Sequence, residues 1–171
     1  MGVTVTAALA AGAPFDEVAL RGASVEFGGD FGGAVAPNLI LHARSMFEFV
    51  PEPNVAADGG AERDSQGTLI TAKAFGPAVT LYFMPANVYL TAGVGLEQLT
   101  LDQQVGDQIL RASTDFGLWL NADLGVEGWV SADWSLGIAA RARYATLSSS
   151  DGTHVDSSSI GLVLSASGAL F

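Results

Sequence analysis

The fold is decided by residues 109–147, which read ILRASTDFGLWLNADLGVEGWVSADWSLGIAARARYATL. Apolar and polar residues alternate up to the short turn Ser131-Ala132-Asp133, and the alternation resumes at Trp134. Because strand side chains point alternately to the two faces of a sheet, this spacing predicts two long antiparallel strands. One face is apolar throughout, and the other carries Arg111, Asp115, Asn121, Asp123, Glu127, Arg141 and Arg143.

These charges lie in the middle of the strands, and this position indicates whether the outer face of the sheet contacts water or lipid. A soluble strand pair hides its apolar face, whereas a membrane barrel turns its apolar face to lipid and its polar face to a closed lumen. The 171 residues are 49% hydrophobic and only 15% charged, with a mean hydropathy of +0.37. Soluble domains carry about 25% charged residues. No apolar run is long enough for a spanning helix, so a closed β-barrel is the remaining way to satisfy the backbone in lipid.

Composition also excludes several classes of function. The net charge of −11 argues against nucleic-acid binding, which needs a basic surface. The chain has no cysteine, which excludes disulfides, thiolate zinc sites and cysteine nucleophiles. An Asp-x-Asp-x-Asp spacing is also absent from the sequence, so we expect no metal site and no cofactor.

The alternation predicts eight strands, at residues 3–11, 19–35, 39–50, 68–83, 88–101, 109–130, 134–147 and 158–171. Short connections at Pro37-Asn38, at 84–87 and at 131–133 alternate with longer ones at 12–18, 51–67, 102–108 and 148–157. Pro37, Pro85 and Asp133 lie 48 positions apart, which is a two-strand repeat. At Gly76-Pro77 we expect a bulge or a break in the strand, which leaves the facing of Lys73 open.

The N-terminus has two interpretations. Residues 1–13 are uncharged and end in Ala11-Gly12-Ala13, as a signal-peptide cleavage site does. However, a basic segment is absent there, and Val3-Thr4-Val5-Thr6 alternates as a strand does. We therefore favour a first strand, with a signal peptide removed before this numbering begins, over a residual signal sequence.

The hairpins, the stretch GVEGWVSADWSLG at 125–137 and a last strand ending in Phe171 carry a family resemblance. The chain resembles the small eight-stranded outer-membrane β-barrels of Gram-negative bacteria, of the OmpA-transmembrane-domain and OmpX kind. The resemblance implies one domain over residues 1–171, an all-β antiparallel up-and-down transmembrane barrel with short periplasmic turns and longer extracellular loops. It also implies a monomer in contact with outer-membrane lipid and lipopolysaccharide. Phe171 departs from the pattern. It is an odd-numbered position, whereas the apolar residues Ile160 and Leu162 of the same strand are even-numbered, so the alternation places it on the opposite face.

An eight-stranded barrel has an interior that side chains fill. We therefore expect an ion-paired plug in the lumen rather than an open pore. The alternative is a narrow ion or solute channel, gated by re-pairing of Arg141 or Arg143. The predicted lumen network comprises Glu26, Asp30, His42, Arg44, Glu48, Glu97, Arg111, Asp115, Asn121, Asp123, Glu127, Arg141 and Arg143.

The function predicted from these patterns is structural or surface interaction, with an unknown extracellular partner that contacts the loops. The four long loops hold ten carboxylates against one arginine, Arg63. We expect no catalysis. The rival hypothesis is a lipid A-modifying enzyme that uses His154 with nearby serines and aspartates, namely Asp151, Asp156, Ser157 and Ser159. A soluble lipocalin-like barrel is the alternative outside the membrane class.

Overall fold

The computed structural model describes residues 2–8, 17–57, 63–131, 134–149, 152 and 154–168. In these ranges every regular element is a β-strand, and a helix suited to crossing a membrane is not found. The strands of the described residues are β1 (Gly2–Ala8), β2 (Glu17–Ala23), β3 (Val25–Ala36), β4 (Leu39–Pro51), β5 (Asn54–Ala57), β6 (Arg63–Asp64), β7 (Thr68–Phe83), β8 (Val88–Val105), β9 (Gln108–Ser113), β10 (Gly117–Trp129), β11 (Trp134–Ser148) and β12 (His154–Gly168).

All strand pairs in the described residues are antiparallel, which confirms the predicted all-β antiparallel class. The main order is β3-β4-β7-β8-β10-β11-β12-β1-β2-β5-β6, and β9 pairs with β8. β3 is the first strand in this order, and β2 lies near its other end. In the chain, however, a single residue, Ser24, separates β2 from β3. Residues 2–8 pair with strands on both sides, which favours the strand interpretation of the N-terminus.

The two faces of the sheet differ in polarity in the way that the alternation predicts. In β10 the residues Trp119, Asn121 and Asp123 are buried, whereas the leucines between and beside them are exposed. In β11 the buried set includes Arg141 and Arg143, and the exposed neighbours are again mainly apolar. In these two strands the charged face is therefore the buried one and the apolar face the exposed one, whereas nearly all of β3 is exposed on both faces.

The single strand predicted over 109–130 is wrong, because the chain divides into β9 and β10. Thr114 lies in the break, where its N–H donates to the Leu99 carbonyl at 2.9 Å and its Oγ1 accepts from the Leu99 N–H at 3.0 Å. These bonds hold the chain back against β8. β8 in turn extends to Val105 and forms a hairpin with β9 through Gly106, whose φ is +61°. The predicted loop at 102–108 is thus mostly strand.

The bulge or break predicted at Gly76-Pro77 is also wrong. β7 runs without interruption from Thr68 to Phe83, and its register with β8 is the same on both sides of this dipeptide. A Cβ on Gly76 would lie 2.1 Å from the carbonyl oxygen of Val94, so glycine allows the close approach of the two backbones here. The unchanged parity places Lys73 on the exposed face.

The connections follow the predicted order of short and long. Asn38 and Asn87 lie in the first two short turns with φ of 62° and 52°, a left-handed conformation that asparagine tolerates. The long connections are partly ordered, because β5 and β6 form within 51–67 and β12 begins already at His154. Several sequence predictions fall outside the described residues, among them residues 9–11 of strand 1, the turn residues Ala132-Asp133 and the phase of Phe171.

Candidate functional site

Asp123 is the hub of the buried polar face. Its carboxylate accepts two hydrogen bonds from Arg141, at 2.7 Å from Nε and 2.8 Å from Nη2. It also accepts from Arg44 Nη1 at 2.6 Å and from Asn121 Nδ2 at 3.2 Å. The register of β10 and β11 sets Asp123 directly opposite Arg141, so the bidentate pair follows from local strand pairing.

Both arginines reach a second carboxylate. Arg44 makes a bidentate contact with Asp30, at 2.8 Å from Nε and 2.7 Å from Nη2, and the two residues are directly paired between β3 and β4. Arg141 donates through Nη1 to Glu26. We call this chain the interior network; in order it is Glu26, Arg141, Asp123, Arg44 and Asp30.

The interior network joins strands that are not neighbours in the sheet. β4 and β10 are separated by β7 and β8, yet Arg44 and Asp123 are 2.6 Å apart. Three strand spacings of about 4.8 Å would separate these side chains on a flat sheet by about 14 Å. The sheet must therefore curl, so that side chains of its buried face meet across an interior.

A second cluster contains one cation and two carboxylates. Arg143 forms an ion pair with Glu48, and its Nε lies 3.7 Å from Glu97 Oε2. Ser24 donates to the other Glu48 oxygen at 2.6 Å. Neither Glu97 oxygen has a hydrogen-bond partner among the described residues, although the side chain is fully buried. This cluster therefore contains one more carboxyl group than it has cations to pair with.

His42 belongs to a separate chain of hydrogen bonds. Its Nε2 lies 2.9 Å from the Thr80 hydroxyl, which is 2.7 Å from the Thr91 hydroxyl on the next strand. The other ring nitrogen, Nδ1, lies 3.6 Å from Asp30. His42 thus lies next to the interior network, and its closest partner is the Thr80 hydroxyl rather than a charged group.

The loop-side end of the interior is apolar. Here the buried face carries large side chains from strand segments far from the short turns, among them Met46, Val50, Ile70, Leu99 and Leu147. Leu20 and Leu101 pack against them. We call this set the apolar cap. It fills the end of the interior at which the sequence predicted longer loops.

The opposite, turn-side end contains a cavity of 310 Å³. Glu127 is its charged lining residue, and that carboxylate accepts a hydrogen bond from the Tyr82 hydroxyl on one oxygen and from the Ser135 hydroxyl on the other. Trp129 and Met84 also line the cavity, and both are largely exposed. The walls are mostly apolar around this one carboxylate.

The short turns position the residues of this cavity. The carbonyl of Asn38 accepts from the backbone N–H of Tyr82 at 2.8 Å, and that of Asn87 accepts from the N–H of Glu127 at 3.0 Å. Each turn therefore continues the hydrogen bonding of the sheet to the next strand. The left-handed conformation of both asparagines is what directs their carbonyls this way.

The structure brings together most, but not all, of the predicted lumen residues. Glu26, Asp30, Arg44, Asn121, Asp123 and Arg141 meet in the interior network or beside it, and Glu48, Glu97 and Arg143 meet in the second cluster. Arg111 and Asp115 do not belong there. Arg111 is exposed on β9 and pairs with Asp102 at 2.6 Å, and Asp115 is exposed in the break before β10. The break between β9 and β10 interrupts the alternation, so these two residues do not share the buried face of β10.

The roles of Ser24, Tyr82 and Ser135 as hydrogen-bond donors to the buried Glu48 and the half-buried Glu127 were missed. All three have the parity of the polar face, which is the only signal that the sequence offers for them. Serine and tyrosine carry no charge, so they do not stand out in an alternating strand.

The serines and the histidine considered for lipid hydrolysis lie on opposite faces of β12. His154 and Asp156 are exposed, and Asp156 accepts from the Tyr144 hydroxyl at 3.0 Å. Ser157 and Ser159 are buried on the other face. Asp151 lies outside the described residues. A cluster of three or more potential metal ligands does not occur in the part of the chain that the structure describes.

No protein-family model matches the chain, and no curated protein matches it. Among solved structures, the chain is similar to Ail, the attachment invasion locus protein of Yersinia pestis, with 11% sequence identity and a TM-score of 0.39. The alignment covers 95% of this chain and 97% of that one.

Proposed function

We propose that the chain is an eight-stranded transmembrane β-barrel of the bacterial outer membrane, with a structural or surface-interaction role and without catalysis. The observation that carries this proposal is the polarity of the sheet. Its exposed face is apolar, and its buried face holds charges that pair across the interior. Such a distribution suits lipid outside and a filled lumen inside.

The pairing registers support a closed barrel. Taking β2 and β3 as one strand, a row of directly paired residues can be followed around the sheet: Gly32, His42, Ala78, Gly93, Asn121, Arg143, Ser159, Val3 and Gly22. The row crosses eight strands and returns to the first one ten residues earlier, at Gly22 rather than Gly32. Such a stagger is what strands tilted by about 35–45° around a barrel axis require.

The height of the exposed apolar face matches a bilayer. On β7 the exposed apolar side chains run from Phe83 to Phe75, and Lys73 follows. On β8 they run to Leu96, and Gln98, which is paired with Lys73, follows. These lengths agree with the about 9–11 residues that a tilted transmembrane strand needs.

Exposed aromatic rings also gather at the turn-side edge of this apolar band. Phe83 and Trp134 are each about half exposed or more, point outwards by their parity and lie next to the short turns. Aromatic girdles of this kind occur where a transmembrane barrel meets the lipid headgroups. We therefore assign the short turns to the periplasmic side and the longer loops to the cell exterior.

The surface-interaction role is assigned to the β8–β9 hairpin on the loop side. Every residue of β9 is exposed, and the hairpin carries Val105, Ile109 and Leu110 with more than half of each side chain accessible. In the described residues β9 pairs with β8 alone. An exposed strand edge can bind an extended segment of a partner by main-chain hydrogen bonds.

We propose that the interior is a plug and not a pore, because the apolar cap fills its loop-side end. Planar-bilayer recording of the purified protein tests this proposal, and we expect no steady conductance. A steady conductance that is lost in Arg141→Ala would favour the narrow channel instead. A lipid A deacylation assay, with His154→Ala as the control, tests the absence of catalysis.

The membrane location is tested by detergent extraction and gel migration. We expect the protein to need detergent for solubility, and to migrate differently on a denaturing gel before and after boiling, because a closed barrel resists unfolding in detergent. A chain that stays soluble and monomeric without detergent would contradict the proposal and favour a lipocalin-like barrel.

A further inference from the structure

We propose that the turn-side cavity is a binding site for a small organic cation of the quaternary or alkylated ammonium class. The cavity measures 310 Å³ and combines one carboxylate, that of Glu127, with aromatic and apolar walls. None of its lining residues is a lysine, arginine or histidine. The binding itself does not depend on the membrane location, which decides only from which side a ligand arrives.

Glu127 is held in place and retains acceptor capacity. Its two oxygens accept one hydrogen bond each, from the Tyr82 and Ser135 hydroxyls, and its backbone is fixed by the Asn87 carbonyl. A carboxylate offers about four lone-pair sites. The two hydroxyls use two of them and bring no positive charge, so the described residues leave Glu127 without a cationic partner.

The walls favour an organic cation over a metal ion. Two aromatic side chains, those of Trp129 and Tyr82, belong to the cavity lining together with Glu127. Aromatic faces attract ammonium groups within about 6 Å of the ring. Ca²⁺ and Mg²⁺ instead need about six oxygen ligands, which these mostly apolar walls do not supply.

The interior next to the cavity adds to the negative potential. Towards the middle of the interior, the network holds the carboxylates of Glu26, Asp30 and Asp123 against the two arginines Arg44 and Arg141, and Glu127 adds a carboxylate that forms no ion pair with any described residue. The cavity is lined by residues in or next to the short turns, at the end of the interior opposite to the apolar cap. A low-dielectric wall around like charges focuses their field at this end and favours a cation there.

The test compares two probes of equal shape, choline and its neutral isostere 3,3-dimethylbutan-1-ol. Both are titrated by calorimetry into the full chain in detergent. We expect choline to bind at least about tenfold more tightly than the isostere, since one carboxylate with cation–π contacts supplies on the order of 1–2 kcal/mol. Equal affinity of the two probes, or no binding of choline, would overturn the proposal.

Two variants and a matched control localise the effect. Glu127→Gln should abolish the preference for choline while leaving any weak binding of the isostere, and Ala34→Phe should block both probes by filling the cavity. Asp102→Asn removes a partly exposed carboxylate that lies outside the cavity and should leave the binding of choline unchanged. If choline binds equally well to Glu127→Gln, or if Ala34→Phe does not weaken it, the site is elsewhere and the proposal is wrong. Gel migration before and after boiling reports separately whether each variant is still folded as a barrel.

Discussion

Replacing Asp123 by asparagine tests the interior network at its hub. The substitution keeps the size of the side chain but removes the charge that Arg44 and Arg141 share. Both arginines are less than 10% exposed, so water cannot compensate for the lost partner. The expected result is a clear loss of unfolding free energy.

The magnitude follows from what each arginine retains. Removing one partner of a buried ion pair costs about 3–5 kcal/mol. Arg44 keeps its bidentate contact with Asp30, and Arg141 keeps its contact with Glu26. We therefore expect the lower end of that range, about 3 kcal/mol, which is a large part of the about 5–15 kcal/mol that stabilises a typical domain.

Urea titration in detergent micelles measures this loss, with the fraction folded read from gel migration of unboiled samples. Asp102→Asn is the matched control, because it breaks an exposed pair with Arg111 and should change stability little. A double-mutant cycle of Asp123→Asn with Arg44→Gln should give a coupling energy of about 1–3 kcal/mol. The same cycle with Arg111→Gln should be additive.

Two results would refute this reasoning. One is a loss for Asp123→Asn no larger than that for Asp102→Asn, which would mean that the hub carboxylate is solvated. The other is additivity of Asp123→Asn with Arg44→Gln, which would mean that the two side chains do not meet across the interior.

Three further outcomes follow from single contacts. Glu97→Gln should leave the urea midpoint unchanged or raise it, because the amide replaces a buried carboxylate that must share Arg143; a loss above about 1 kcal/mol would contradict this. Asn38→Ala should cost about 1–2 kcal/mol in the same titration, because its φ is 62°, whereas Asn38→Gly should cost much less. The hydrogen bond from Arg111 lowers the pKa of Asp102, so this contact stabilises the hairpin above the ordinary carboxyl pKa and is lost as the pH falls through the lowered one. Carboxyl-carbon NMR should give a midpoint for Asp102 below about 3.9, and Arg111→Gln should raise it.

The parity of the strands is the part of the fold that the sequence predicts well. The face to which a strand residue points is a local property, because successive side chains point to opposite faces of the sheet. The burial of Arg44, Asp123 and Arg141 on one face therefore follows from reading every second residue. Which strand ends where is less local, and the break at Thr114 arises from its two hydrogen bonds to Leu99, fifteen positions earlier in the chain.

The alternation of residues along each strand could not predict what fills the two ends of the interior. The apolar cap joins Met46, Ile70 and Leu147, which come from three strands and meet only through the stagger of the sheet. The cavity at the other end likewise depends on Asn38 and Asn87, which fix Tyr82 and Glu127 across strand boundaries. The repeated short turn with asparagine was the one sequence signal for that end.

The central claim, that the exposed apolar face meets lipid, is tested most directly by spin labels on β10. The chain has no cysteine, so single cysteines at Leu120 and Asn121 place one label on each face. In liposomes, we predict that the label at Leu120 is relaxed strongly by lipid-soluble oxygen and weakly by a water-soluble nickel reagent, and that the label at Asn121 lacks this oxygen effect. Strong relaxation of the Leu120 label by the nickel reagent would contradict the account.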